Sequence, residues 1–248
     1  MSVQAVSRSF DLLEALASAD DLGLVELAGR TGLQPSTVHR LLQTLMARGY
    51  ATQHPVTGRY LLSYKVSDLS EAINKRHQHL RAVARPHLET IVKVTGESAS
   101  LSVLEPPNLV YVDQVEGSRS VRMFARRGAA VLAHATAAGK AMLAWAEPEV
   151  LARLGDPLAQ LTPQTLSTHE ALERELARVR NRGYAVDNQE QEPGVGCVAA
   201  AIFRGDDVVV AAISVSAPMT RIRAADPVEL GELLRARAAA VSEELFRA

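Results

Sequence analysis

Val38, Leu41, Leu42, Leu45 and Met46 recur at three- and four-residue steps, and this short apolar stripe constrains the fold more than any other stretch. A helix carrying it must bury one face. Pro35 suits the first helical position, because the N–H it lacks would be unpaired there anyway; Gly49 ends the helix. Upstream, Leu24, Leu27 and Ala28 predict a short helix over 24–30. Thr31-Gly32-Leu33 then makes a turn, with Gly32 supplying the positive φ that sharp turns often require. Val6, Phe10, Leu13, Leu16 and Ala17 predict a first helix over 3–19 with those residues facing inward. Downstream, residues 51–54 and 59–62 flank the turn Pro55-Val56-Thr57-Gly58 as a hairpin. Three helices and a hairpin make a winged helix-turn-helix.

Charge points to the partner of this module. The chain carries 28 acids, yet none falls between Leu27 and Ser67. About four or five would be expected there at the chain-wide density. Arg30, Arg40, Arg48, Arg59 and Lys65 lie inside the window. A surface cleared of carboxylates suits a polyanion, since each phosphate contact needs a cation. Ser36, Thr37, His39, Arg40 and Gln43 lie mostly away from the apolar stripe and can reach phosphates and base edges of double-stranded DNA in the major groove. Arg59 could reach the backbone or minor groove. The plainer alternative is that Thr37, His39 and Gln43 are simply solvated.

The run from Leu24 through Gln34-Pro-Ser-Thr-Val-His-Arg40 to Leu45, followed by Arg48-Gly-Tyr50 and Gly58-Arg-Tyr-Leu61, closely resembles the IclR family of bacterial transcriptional regulators. The resemblance extends over nearly the whole chain. It implies a linker helix and a GAF-like carboxy-terminal domain. The expected class is therefore α+β: a winged helix-turn-helix over 1–63, a linker helix over 64–80, and a GAF-like α/β effector-binding domain over 81–248.

Val66, Leu69, Ala72 and Ile73 have helical spacing in the linker. His77 and His79 nearby are an i,i+2 pair that points to different sides of a helix, which argues against a metal. A further helix over 82–94 ends at Gly96. From Glu97 the pattern favours strands: 99–104, 109–113, 121–125, 184–187, 198–203 and 208–216. Glu105-Pro106-Pro107-Asn108 and Gly205-Asp206-Asp207 serve as turns. Helices are expected over 138–146, 149–154, 168–182 and 226–246. Ser167-Thr-His-Glu170 offers a capping box for the third of these.

Small residues at Ala137, Ala138 and Gly139 open a helix whose N–H groups and dipole attract a carboxylate. A close helix–sheet contact would also want small residues. Gly183, Asp187, Glu190, Cys197, Val198, Ala199, Ile202 and Phe203 match the IclR-family signature, with Arg204 in place of its closing Asp or Asn. The resemblance implies an effector cavity lined by Ala137, Ala138, Asp187, Cys197, Ser214 and Ser216. Relatives often carry Gly where this chain has Ala137, whose methyl could trim the pocket. Ser214 and Ser216 project to one face by strand alternation alone. Hydroxyls, backbone N–H groups and an apolar lining suit a small organic or aromatic carboxylate.

Cys197 has competing readings: a nucleophile activated by a base such as His134 or His169, a metal ligand with Asp187 and a His, or an inert thiol in the cavity wall. Asp187 and Glu190 could also act as an acid–base pair. As the only cysteine, Cys197 excludes an intrachain disulfide. No stretch approaches the roughly 20 apolar residues of a membrane span, and residues 1–10 lack a signal-peptide core. The expected protein is cytoplasmic and non-enzymatic, without cofactor or metal. It binds a pseudo-palindromic operator as a homodimer or tetramer under control of a small-molecule effector. The alternatives are a thiol enzyme built on Cys197 and a ligand-free architectural DNA binder.

Overall fold

The computed structural model describes residues 3–205 and 208–246. The chain divides into two compact units, residues 1–76 and 77–248.

The first unit runs α1 (Gln4–Ala17), α2 (Leu24–Thr31), α3 (Pro35–Ala47), β1 (Ala51–Gln53), β2 (Tyr60–Leu62) and α4 (Lys65–Arg76). Its core is Leu12, Leu16, Leu22, Leu27, Val38, Leu42, Leu45 and Tyr60. Burying each such aliphatic side chain contributes roughly 1.5–3 kcal/mol. Gly32 takes a left-handed conformation (φ 66°) and its N–H closes α2 on the Ala28 carbonyl. Pro35 opens α3. β1 and β2 pair antiparallel as the wing. The inward face of α1 differs from expectation. Leu12 and Leu16 are buried, while Val6 and Phe10 are exposed. The true stripe runs one residue away from Leu13, about 100° around a helix of 3.6 residues per turn. No residue of α4 is buried, so Leu69 and Ile73 stand exposed.

The second unit opens with α5 (Gln78–Thr95), β3 (Ser98–Glu105), β4 (Asn108–Val115) and β5 (Ala130–Leu132). A 3-10 turn at Ala133–Ala135 leads into α6 (Ala137–Leu143), α7 (Pro148–Leu151) and α8 (His169–Arg182). β6 (Ala185–Asn188), β7 (Val195–Arg204), β8 (Val208–Pro218), α9 (Met219–Ala224) and α10 (Pro227–Phe246) complete it. The strands form one antiparallel sheet in the order β5-β4-β3-β8-β7-β6. Strand alternation sorts its two faces. Leu101, Val198, Ala200, Ile213 and Val215 pack with Leu88 and Ile91 of α5 and Leu234 of α10. Cys197, Ala199, Ala201 and Ala212 pack with α6 and with Leu172 and Leu176 of α8.

Residues 121–125 do not form the expected strand. Side chains satisfy their backbone instead: Ser98 Oγ donates to the Met123 carbonyl (2.6 Å), Arg221 Nη2 to Val121 O (2.7 Å), and Ala125 N–H donates to Gln114 Oε1 (3.0 Å). The edge strand on the β4 side of the sheet is β5, which starts five residues after Ala125. α9 was not expected from the periodicity, and α6 stops at Leu143 rather than 146. The cap of α8 is Thr168, one residue past Ser167; its Oγ1 accepts the Ala171 N–H. Gly205 does adopt positive φ (56°), while Asp206 and Asp207 of that expected turn lie outside the described residues.

Candidate nucleic-acid interface and ligand cavity

α3 buries Val38, Leu41, Leu42 and Leu45, which leaves Ser36, His39, Arg40 and Gln43 on its exposed face and Thr37 half-buried at its edge. His39 Nε2 and Gln43 Nε2 lie 3.4 Å apart, one helical turn from each other. Among the described residues no ion pair engages Arg40. Arg30 donates to Ser18 Oγ and Lys65 to the Arg48 carbonyl, both neutral acceptors.

Arg59 is different. Its Nε meets Asp21 Oδ1 at 2.6 Å and its Nη2 meets Glu26 Oε2 at 2.7 Å. Glu26 also accepts the Gly23 N–H (2.7 Å), and that bond, with the Arg59 charge, holds its carboxyl below the usual range. The linear sequence separates these acids from the acid-free window; the fold returns them to the wing. Arg59 is therefore held inside the unit rather than standing free to reach DNA.

In the second unit the antiparallel register builds a polar row across one face of the sheet. Asp187 pairs with Cys197, Cys197 with Ser216, and Ser216 with Ser98; one step along, Ser214 pairs with Ser100. Directly paired residues point to the same side. The row faces a cavity of about 220 Å³ whose lining includes Ala138, Asp187, Cys197, Ser214 and Ser216. Five of the six expected ligand residues thus come together. Ala137 does not line it: this residue is fully buried in the core formed with α6. Gly139 answers to packing as well, since a Cβ there would sit 2.0 Å from the Ala133 carbonyl oxygen. Thr136 Oγ1 already accepts the Gly139 N–H at the start of α6 (3.1 Å).

Tyr111, Ser100, Gln114, Thr136, Gln191 and the segment Met123–Arg126 are among the other residues that line the cavity, and the sequence did not single them out. Ser98, Ser100 and Ser102 alternate on β3 just as Ser214 and Ser216 do on β8, a signal that could have identified Ser100. The bridging segment carries no such pattern.

Burial dominates the electrostatics. It pushes the Asp187 carboxyl up to about 7; the Glu190 N–H on Oδ1 (2.6 Å) opposes this, the Glu190 charge adds to it and the Lys140 charge opposes it. Lys140 and Glu190 form a buried ion pair beside the row. Burial first, and the Asp187 charge second, push the Cys197 thiol up to about 12. Its sulfur accepts the Ser216 hydroxyl at 3.2 Å. A thiol so shifted stays protonated at neutral pH and is a poor nucleophile. Neither His134 nor His169 serves it: their Nε2 atoms face the carbonyls of Ala159 and Gly155. Among the described residues no three His, Cys, Asp or Glu side chains gather as a metal would require, and no helix is long and apolar enough to cross a membrane.

Comparison with known proteins agrees with both halves of this arrangement. Residues 5–55 match the IclR helix-turn-helix domain, and residues 72–243 match the bacterial transcriptional regulator IclR C-terminal domain. The chain is 33% identical over 246 residues to the HTH-type transcriptional regulator XynR of Escherichia coli (strain K12), covering 98% of this chain and 97% of that one. It superposes on the IclR of Thermotoga maritima with a TM-score of 0.77 at 30% identity, covering 98% and 99% of the two chains. An IclR homologue from Microbacterium hydrocarbonoxydans, complexed with 4-hydroxybenzoate, gives 0.76 at 28% identity over 97% and 98%. The family matches cover the winged module and the α/β domain alike, and the chain belongs to the IclR family of DNA-binding transcriptional regulators.

Proposed function

We propose that the protein switches transcription by coupling operator binding to capture of a small organic or aromatic carboxylate. Residues 1–63 act as the reading head, 64–80 as the linker and 81–248 as the sensor, in the cytoplasm. On the DNA side, α3 enters the major groove with Ser36, Thr37, His39, Arg40 and Gln43 toward bases and phosphates. Arg59 joins the DNA contacts only by exchanging its acid partners for phosphates. Two heads reading a pseudo-palindromic site require a homodimer or tetramer. The exposed apolar pairs Val6 and Phe10 of α1 and Leu69 and Ile73 of α4 are available to such a partner.

On the ligand side, the observation that carries the reading is the register-built row Asp187–Cys197–Ser216 beside Ser214 and Ser100, opening into a small cavity with Ala138 in its wall. Ala137 acts from behind, as packing under Ala138. The homologue bound to 4-hydroxybenzoate supports an aromatic acid as the first candidate. The ligand acts by favouring one arrangement of the heads, because only differential affinity shifts a population. A thermal-shift series with small carboxylates, 4-hydroxybenzoate included, tests the sensor, since a ligand specific to the folded state raises the midpoint. Gel-shift titration of the chain's own promoter region across salt tests the head. Salt-insensitive or absent binding to that DNA would overturn the reading.

A further inference from the structure

β8 has two faces, and each looks into a different cavity. Ser214 and Ser216 face the small one described above. Val215, between them, faces a second cavity of about 650 Å³ on the other side of the sheet. That volume falls within the range of roughly 300–1,000 Å³ typical of small-molecule sites, whereas the first lies below it. Val215, Ile222, Leu230 and Leu233 give it apolar walls, and Val94 at the end of α5 stands two-thirds exposed beside it.

One charged cluster interrupts those walls. The buried Glu97 carboxylate receives Arg221 through Nε (2.6 Å) and Nη2 (2.8 Å) and Arg119 through Nε (2.9 Å). Two guanidiniums on one carboxylate leave a single positive charge in excess. Arg119 has five N–H donors and is half exposed at the cavity, so it can take a second acceptor. Glu229, exposed on α10, also lines the cavity and disfavours a ligand that is negative at both ends. Among the described residues, none that lines it is aromatic. Over the whole lining Arg119 and Arg221 balance Glu97 and Glu229, so the positive end is local to the arginine cluster; with aliphatic walls it selects a molecule with a single anionic end and an aliphatic body.

We propose that this second cavity binds an aliphatic monocarboxylate of medium chain length. The carboxylate sits on Arg119 and Arg221, and the chain lies along Val215, Ile222, Leu230 and Leu233. The site shares no lining residue with the first cavity and stands or falls independently of the effector reading.

Octanoate is the probe. Calorimetric titration of the full chain should give saturable binding of one octanoate per chain. Arg119→Gln should weaken it by about tenfold, the worth of one charge-assisted hydrogen bond. Val94→Asp, at an exposed position, should weaken it by like charge, and Glu229→Gln should strengthen it. Both weakening substitutions are at exposed side chains, so an unchanged thermal midpoint without ligand shows that the fold is intact. Absence of saturable octanoate binding at millimolar concentration overturns the proposal. So does binding that Arg119→Gln and Val94→Asp leave untouched, because that places octanoate elsewhere.

Discussion

Each unit of this protein holds a cation against carboxylate, under opposite conditions. Arg59 on the wing meets Asp21 and Glu26 at the surface, where water and salt screen the attraction. Lys140 meets Glu190 in the interior, where its side chain is 1% exposed. The surface cluster can exchange partners at little cost, as the proposed transfer of Arg59 to phosphate requires. The interior pair cannot: each charge has been taken out of water and depends on the other. The same chemistry is therefore an exchangeable tie in the first unit and a structural commitment in the second.

Removing Lys140 is the most severe way to break that contrast. Lys140→Met should destabilise the sensor unit by about 3–5 kcal/mol, and adding Glu190→Leu should recover most of the loss. Trp145 is the only tryptophan and packs edge-on against Phe203, so its fluorescence during urea unfolding reports this unit. Recovery that fails in the double variant would mean that the pair does more than satisfy itself.

The pH dependence of Asp187 comes next. Its folded pKa of about 7 lies above its ordinary value of 3.8. The neutral form is favoured in the fold, so its contribution is complete below about 4, declines as pH rises and is lost once pH passes about 7. Asp187→Asn should remove this slope. Its stability relative to the wild type should grow by on the order of a few kcal/mol between pH 4 and 8. A constant difference across that range would show that the carboxyl is already charged in the fold.

The head should respond more gently. Arg40→Ala should lower operator affinity by about tenfold and reduce the salt slope by about one. Glu26→Gln should do the reverse on a smaller scale, raising affinity by about twofold to threefold as Arg59 is released toward phosphate. If Glu26→Gln leaves DNA binding unchanged, the wing arginine is a structural tie and not a reserve contact.

How much of this could be read from residues depends on how local the cause was. Gly32, Pro35 and the Val38–Leu42–Leu45 stripe act within a few positions, and the head's helices and hairpin follow from them. Ser214 and Ser216 share a face because strands alternate, which sequence alone states. That Cys197 lies opposite Ser216, and Asp187 opposite Cys197, depends on which strands are neighbours. That order is decided by long-range packing. The acids on Arg59 escaped notice for the same reason: Asp21 and Glu26 are 38 and 33 residues away. Residues 121–125 misled in the other direction, because their apolar character reads as a strand while their backbone is tied by side chains.

Those ties have a mechanical meaning. A strand shares a ladder of many backbone hydrogen bonds with its neighbour, so no single bond decides whether it stays in the sheet. Residues 121–125 hang from individual fastenings at Ser98, Gln114 and Arg221. The segment borders the cavity that Ser214 and Cys197 also line, so a single substitution at one fastening can loosen that border while every rung between β3, β8 and β7 stays in place.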